Sequence, residues 1–99
     1  MILAAWRNSK HGGDAHDDAI EARIAILQTT PGVENIRKNQ TQVDFNGNRV
    51  GNNRPDIQFD QNGQHHNVEY DTDPNRSAHH ATVIPANDPA AVNEFHILP

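Results

Sequence analysis

The chain of 99 residues is long enough for one domain and too short for two. An apolar fraction of 34% and a mean hydropathy of −0.83 allow only a small core, such as one sheet carrying one or two helices. The absence of cysteine excludes disulfides and thiolate metal sites, and no apolar run approaches the roughly 18 residues of a membrane span; a net charge of −5 argues against a broad electrostatic footprint for nucleic acid.

Residues 1–13 end in Lys10-His11-Gly12-Gly13 and read as a lead-in segment, too short in its apolar part for a signal-peptide core. The chain reads as a piece from the end of a longer protein. Asp14 or Asp17 is the expected cap of a helix that runs to about Thr29, with Ile20, Ile24 and Leu27 forming one buried stripe. Pro31-Gly32 stops it. Residues 33–36 read as a short strand or connector. Residues 41–45 alternate polar and apolar, as a half-buried strand does, and Asn46-Gly47-Asn48 is a turn signal. Residues 54–60 and 65–72 form a hairpin with Asn62-Gly63 at its tip. Asp73 and Pro74 open a second helix that runs to about Ile84, burying Ala78, Ala81 and Ile84, and Pro85 ends it. Residues 94–98 read as a last strand. The element order is therefore helix, strand, strand, strand, helix, strand. A helix crossing between two strands implies a mixed or partly parallel sheet, so the expected fold is a small α/β domain.

The hairpin carries the chemistry. It reads Arg54-Pro55-Asp56-Ile57 on one strand and Val68-Glu69-Tyr70-Asp71 on the next. Carboxylates facing one way on adjacent strands lie within a few ångströms, which suits a hard divalent cation. By parity, Asp56, Gln58, Glu69 and Asp71 share one face, opposite Ile57, Phe59, Val68 and Tyr70. Parity alone fits an active face and a solvated face equally. Three like charges on one face repel without a cation, which favours the metal.

This order, with Pro55-Asp56 on one strand and Glu69 on the next, resembles the restriction-endonuclease-like superfamily, whose signature is PD-(D/E)XK. The likeness spans residues 14–98 in element order and rests on Pro55, Asp56 and Glu69 at residue level. It implies a restriction-endonuclease-like core and a nuclease hydrolysing DNA or RNA with Mg²⁺ or Mn²⁺. It implies that Asp56 and Glu69 hold the metal, joined by Glu21 from the first helix. Asp71 stands where the family has lysine, and an aspartate cannot supply that positive charge. Arg76, His79 and His80, early in the second helix, are the candidates to replace it, and Asp71 is a candidate further ligand. Arg54, Lys38 and His80 are the expected contacts to the substrate backbone. The sequence also looks like the short C-terminal toxin domains of bacterial polymorphic toxins. That class implies delivery into the cytoplasm of a rival cell and a cognate immunity protein.

Plainer alternatives stand beside each residue. Glu21, His16 and Asp17 also read as ordinary exposed helix residues. Adjacent histidines in a strand, His65-His66, face opposite ways, so a zinc site is not indicated. Ser77 beside a histidine lacks the glycine pattern of a nucleophile elbow. Two other functions remain open: a metal-independent ribonuclease using the histidines, and an inactive nuclease-like module that binds a protein.

Overall fold

The computed structural model describes residues 14–99; the expected lead-in at residues 1–13 lies outside them. Its elements are α1 (Asp14–Gln28), β1 (Val33–Lys38), β2 (Ile57–Gln61), β3 (Gln64–Asp71), α2 (Pro74–Asn87) and β4 (Val92–Ile97). The order α-β-β-β-α-β is the one expected. The strands lie side by side as β1-β2-β3-β4, with β1, β2 and β3 antiparallel and β4 parallel to β3 across α2. The sheet is therefore mixed.

One face is an ordinary apolar core. Ile20, Ile24 and Leu27 of α1 pack on Ile57, Phe59, Val68 and Tyr70. The i, i+4, i+7 stripe read from the sequence is the stripe that is buried. Arg23, on the same helix, makes a bidentate pair with Glu94 at 2.6 and 2.9 Å and so fastens α1 to the edge strand β4. That pair holds the Glu94 carboxyl down at about 2.

The other face is polar, and its burial decides between the two readings that parity left open. Gln58, Asp60, His65, Asn67, Glu69 and Asp71 are all buried rather than solvated. Residues 41–45 do not join the sheet. They belong to an irregular loop spanning residues 39–56, whose one ladder contact is the isolated bridge Val43↔Arg49. The turn signal was sound: Asp44 accepts from the amides of Asn46 and Asn48, and Gly47 takes φ +84°. The strands around it are replaced by side-chain bonding from below. Gln58 Oε1 accepts from the amide of Val43, while its Nε2 donates to the carbonyls of Gln40 and Thr41. His65 bridges Asp60 at 2.7 Å and Gln58 at 2.9 Å. A polar layer thus replaces a second apolar layer, consistent with the low apolar fraction.

Two further differences have local causes. In β1, Asn35 takes φ +56°, and the pairing register shifts between Glu34 and Arg37. That bulge turns both Val33 and Ile36 toward the core despite their odd spacing. Helix α2 runs through Pro85 to Asn87. Pro85 removes a bond to the carbonyl of Ala81, which is exposed and can be hydrated. Beyond it, Gln42 Nε2 donates to the Ile84 carbonyl and Asn87 donates to Gln42 and Asn53, tying the helix end to the loop. The buried face of α2 is Ser77 and Ile84, while Ala78 and Ala81 are exposed. Asp73 caps the helix as expected, accepting from the amide of Asn75. Asp17 sits inside α1 rather than capping it.

Gln58 is the node of the polar layer. Gln58→Leu leaves the Val43 amide and two carbonyls without partners and is expected to destabilise the fold by about 2–3 kcal/mol. Urea denaturation measures the loss, and limited proteolysis is expected to cut first within residues 39–53.

Candidate functional site

Asp56 and Glu69 are placed by a reciprocal clamp between the start of β2 and β3. The Asp56 amide donates to Glu69 Oε1 at 2.8 Å, and the Tyr70 amide donates to Asp56 Oδ2 at 2.7 Å. Each carboxylate is thus held by a backbone N–H from the segment that carries the other. Asp71, two residues beyond Glu69, faces the same way. Its own carbonyl accepts from the Leu98 amide at 2.7 Å, which closes the end of the parallel pair.

Helix α2 supplies the fourth member. His80 lies on the inward stripe between Ser77 and Ile84. Its Nδ1 is 2.9 Å from Glu69 Oε2 and 2.9 Å from Asp71 Oδ2. Glu69, Asp71 and His80 offer ligand atoms that all lie within 4.8 Å of one another. From α1, His16 Nε2 approaches Asp56 Oδ2 at 3.4 Å.

These groups line one cleft of about 370 Å³, walled by Asp56, Glu69, Asp71, His16 and His80, with Asn52, Asn53, Arg54 and Arg76 also bordering it. Both arginines are exposed. A smaller cavity of about 130 Å³, reaching to Thr72 and Asp73, shares His16, Asp71 and Arg76.

Burial and mutual repulsion dominate the electrostatics. Removal from water, then the charge of Asp56, pushes the Glu69 carboxyl up to about 8. Burial likewise raises Asp56, against the Tyr70 amide and His16, which favour its charged form.

Of the residues singled out from the sequence, Asp56, Glu69, Asp71, Arg54, Arg76 and His80 meet at this cleft. Three do not. Glu21 is buried, at 6% exposure, and belongs neither to the cleft wall nor to the three-residue ligand group. The buried Lys38 amine pairs with Asp17 Oδ1 at 3.2 Å and braces α1 against β1, away from this cleft wall. His79 is exposed on the outer side of α2. His16, Asn52 and Asn53 were not singled out as site residues, because their place depends on how α1 and the 39–56 loop reach the end of the hairpin. His16 stands in the first turn of α1, and that proximity to the lead end of the helix was its only signal.

Comparison with known protein families, with curated proteins and with solved structures finds no match to this chain.

The donor set fits a divalent cation. Three buried carboxylates face one polar cleft, and burial, followed by the neighbouring Asp56, pushes one of them up to about 8. Oxygen donors of this kind suit Mg²⁺ and Mn²⁺.

The raised Glu69 carboxyl sets a stability profile. Folded Glu69 retains its proton above pH 4.5, where the unfolded chain releases it, up to about 8. Its stabilisation is thus complete at low pH and is lost as pH rises through that window. In chelator, the wild-type protein is expected to lose about 2–3 kcal/mol between pH 5 and pH 8 through this group. Glu69→Gln is expected to flatten the profile, as followed by thermal unfolding at each pH. The opposite effect of Glu94 acts only below its ordinary value of 4.5 and does not overlap.

Proposed function

We propose that this chain is a metal-dependent phosphodiesterase: a nuclease of restriction-endonuclease-like type that cleaves DNA or RNA. The observation that carries the reading is the convergence of Asp56, Glu69 and Asp71 in one cleft bordered by the exposed Arg54 and Arg76. The element order and the Pro55-Asp56…Glu69 spacing support the same family.

A bound divalent cation would stabilise charge on the scissile phosphate and acidify the attacking water. The carboxylates of Asp56, Glu69 and Asp71 would hold it. The clamp between Asp56 and Glu69 keeps both in place without reorganisation, which is what electrostatic catalysis needs. Arg54 and Arg76 orient the phosphodiester from the two sides of the cleft. Arg54 is itself steadied by donating to the Asn39 carbonyl at 2.8 Å. Arg76 supplies, from the first turn of α2, the positive charge that lysine supplies in the family and Asp71 cannot. The likeness to polymorphic-toxin domains makes this a nuclease delivered into the cytoplasm of a competing bacterium and restrained by an immunity protein. Among the described residues no helix is long and apolar enough to cross a membrane.

A second reading has one observation in its favour. His16 and His80 stand on different walls of the same cleft, the arrangement a metal-independent ribonuclease uses for acid–base transfer to a 2′-hydroxyl.

Plasmid DNA and total cellular RNA, each incubated with Mg²⁺, Mn²⁺ or EDTA, separate the two. The proposed nuclease is expected to cleave one substrate only with metal, and Glu69→Gln to reduce the rate at least about 10²-fold, the scale for removing one principal electrostatic contact. Cleavage that survives EDTA but is lost in His80→Gln favours the ribonuclease. Cleavage unchanged in Asp56→Ala refutes the carboxylate site.

A further inference from the structure

Helix α2 brings one imidazole nitrogen up to the carboxylates at the end of the hairpin. His80 Nδ1 is 2.9 Å from an oxygen of Glu69 and 2.9 Å from an oxygen of Asp71. Neighbouring ligands held about 2.1 Å from an octahedral cation lie about 3.0 Å apart. His80 Nδ1 therefore has, to each of the two oxygens, the spacing of adjacent ligands on a coordination sphere, and ligand atoms of all three residues lie within 4.8 Å of one another. The spacing is built into the fold. Glu69 and Asp71 are two apart on a central strand, and His80 is on the inward stripe of a helix capped by Asp73.

A hydrogen-bonded imidazole is the plainer account of the same distances, and the number of acceptors counts against it. One Nδ1 faces two carboxyl oxygens at the same 2.9 Å and carries at most one proton for them. A divalent cation would replace that single proton by direct bonds to all three atoms. The cleft beside them is polar and large enough for the waters that complete the shell.

We infer that Glu69, Asp71 and His80 form a mixed carboxylate–imidazole site in which His80 Nδ1 is an inner ligand, and that its cation is Mn²⁺ in preference to Mg²⁺. Carboxylate, carbonyl and water suit Mg²⁺, Ca²⁺ and Mn²⁺, while imidazole nitrogen suits transition cations; Mn²⁺ is the member of the oxygen-binding set that is also a transition cation. An all-oxygen site does not tell Mg²⁺ from Mn²⁺ strongly; a site with one nitrogen in three protein ligands does. The oxygen-rich remainder, with Asp56 adjacent, disfavours the closed tetrahedral nitrogen and sulfur shell of structural zinc. The departure of Asp71 from lysine fits this arrangement. The residue has moved from supplying positive charge to binding it.

The inference rests on the proposed function only for the presence of a cation, and its test uses no nucleic acid, so a bound and nitrogen-ligated metal stands even where nothing is cleaved. The probe is Mn²⁺ alone, added to the metal-free chain and followed by electron paramagnetic resonance with spin-echo modulation. One bound Mn²⁺ with ¹⁴N coupling is expected, displaced by half only when Mg²⁺ is in at least about tenfold excess. In His80→Gln the nitrogen coupling is expected to vanish and the preference over Mg²⁺ to narrow. In His16→Gln the coupling is expected to persist. Should His80→Gln fail to fold, as judged by circular dichroism, persistence in both His16→Gln and His11→Gln assigns the nitrogen to His80, the other imidazole lining the cleft among the described residues. Bound Mn²⁺ without ¹⁴N coupling in the wild type, coupling retained in a folded His80→Gln, or no bound Mn²⁺ at all overturns the assignment.

Discussion

The reciprocal clamp between Asp56 and Glu69 is the constraint on which the rest of the structure depends. Two carboxylates that repel one another are each tied to a backbone amide of the opposing segment. Those bonds do what a ladder would do at the mouth of the hairpin, where regular pairing starts only at Ile57 and Val68. The strand register is thus extended by side chains, at a cost visible in the raised Glu69 carboxyl. Burying charge without full compensation is destabilising, so a fold that retains it concentrates the cost where a ligand can offset it.

The buried polar layer follows from the same constraint. A carboxylate face needs cover that can hydrogen-bond, and an apolar helix could not provide it. The 39–56 loop does so with backbone carbonyls and amides that bond Gln58, and α2 does so with His80. Gln42 and Asn87 then lock the loop to the end of α2, so the two covers move as one. The asparagine richness of the chain has its structural use here, in left-handed turns at Asn35, Asn39 and Asn62 and in amide bridges at Asn53 and Asn87.

What was legible in the sequence was what local pattern controls. The α1 stripe, the Asn62-Gly63 hairpin, the Asp73 cap and the element order all rest on near neighbours and came through. The cluster of Asp56, Glu69 and Asp71 came through because a hairpin converts parity into proximity. The failures share a different cause. Residues 41–45 have strand alternation, but the sheet position they would need is held by β1, whose own pattern is scrambled by the bulge at Asn35. Glu21 entered through the family resemblance and Lys38 as an expected contact to the substrate backbone. The seat of α1 on the sheet places Glu21, and the β1 register sets Lys38 against Asp17, neither of which any local spacing records. His79 and His80 were equivalent as letters, and only the packing of Ser77 and Ile84 tells inward from outward. That the polar face is buried at all was hidden, because alternation reads the same under water and under a polar lid.

Asp71 ties these threads together. In a site with lysine at this position, part of the charge that meets the phosphate is covalently attached, and the carboxylates nearby are partly offset before any cation arrives. With aspartate there, the local balance is three acids against one half-buried imidazole on their own face and two arginines at the surface. The arginines lie in high dielectric and act weakly on the buried acids. On the proposed function, a bound cation would serve two tasks at once: it would relieve the carboxylates and present positive charge to an anionic substrate. The internal repulsion and the substrate affinity of the site would then be governed by one ion. Arg76 and His80, both reached from α2, are placed by the same helix cap. The capping aspartate, the imidazole and the arginine therefore stand or fall together as one unit docked on the carboxylate pair.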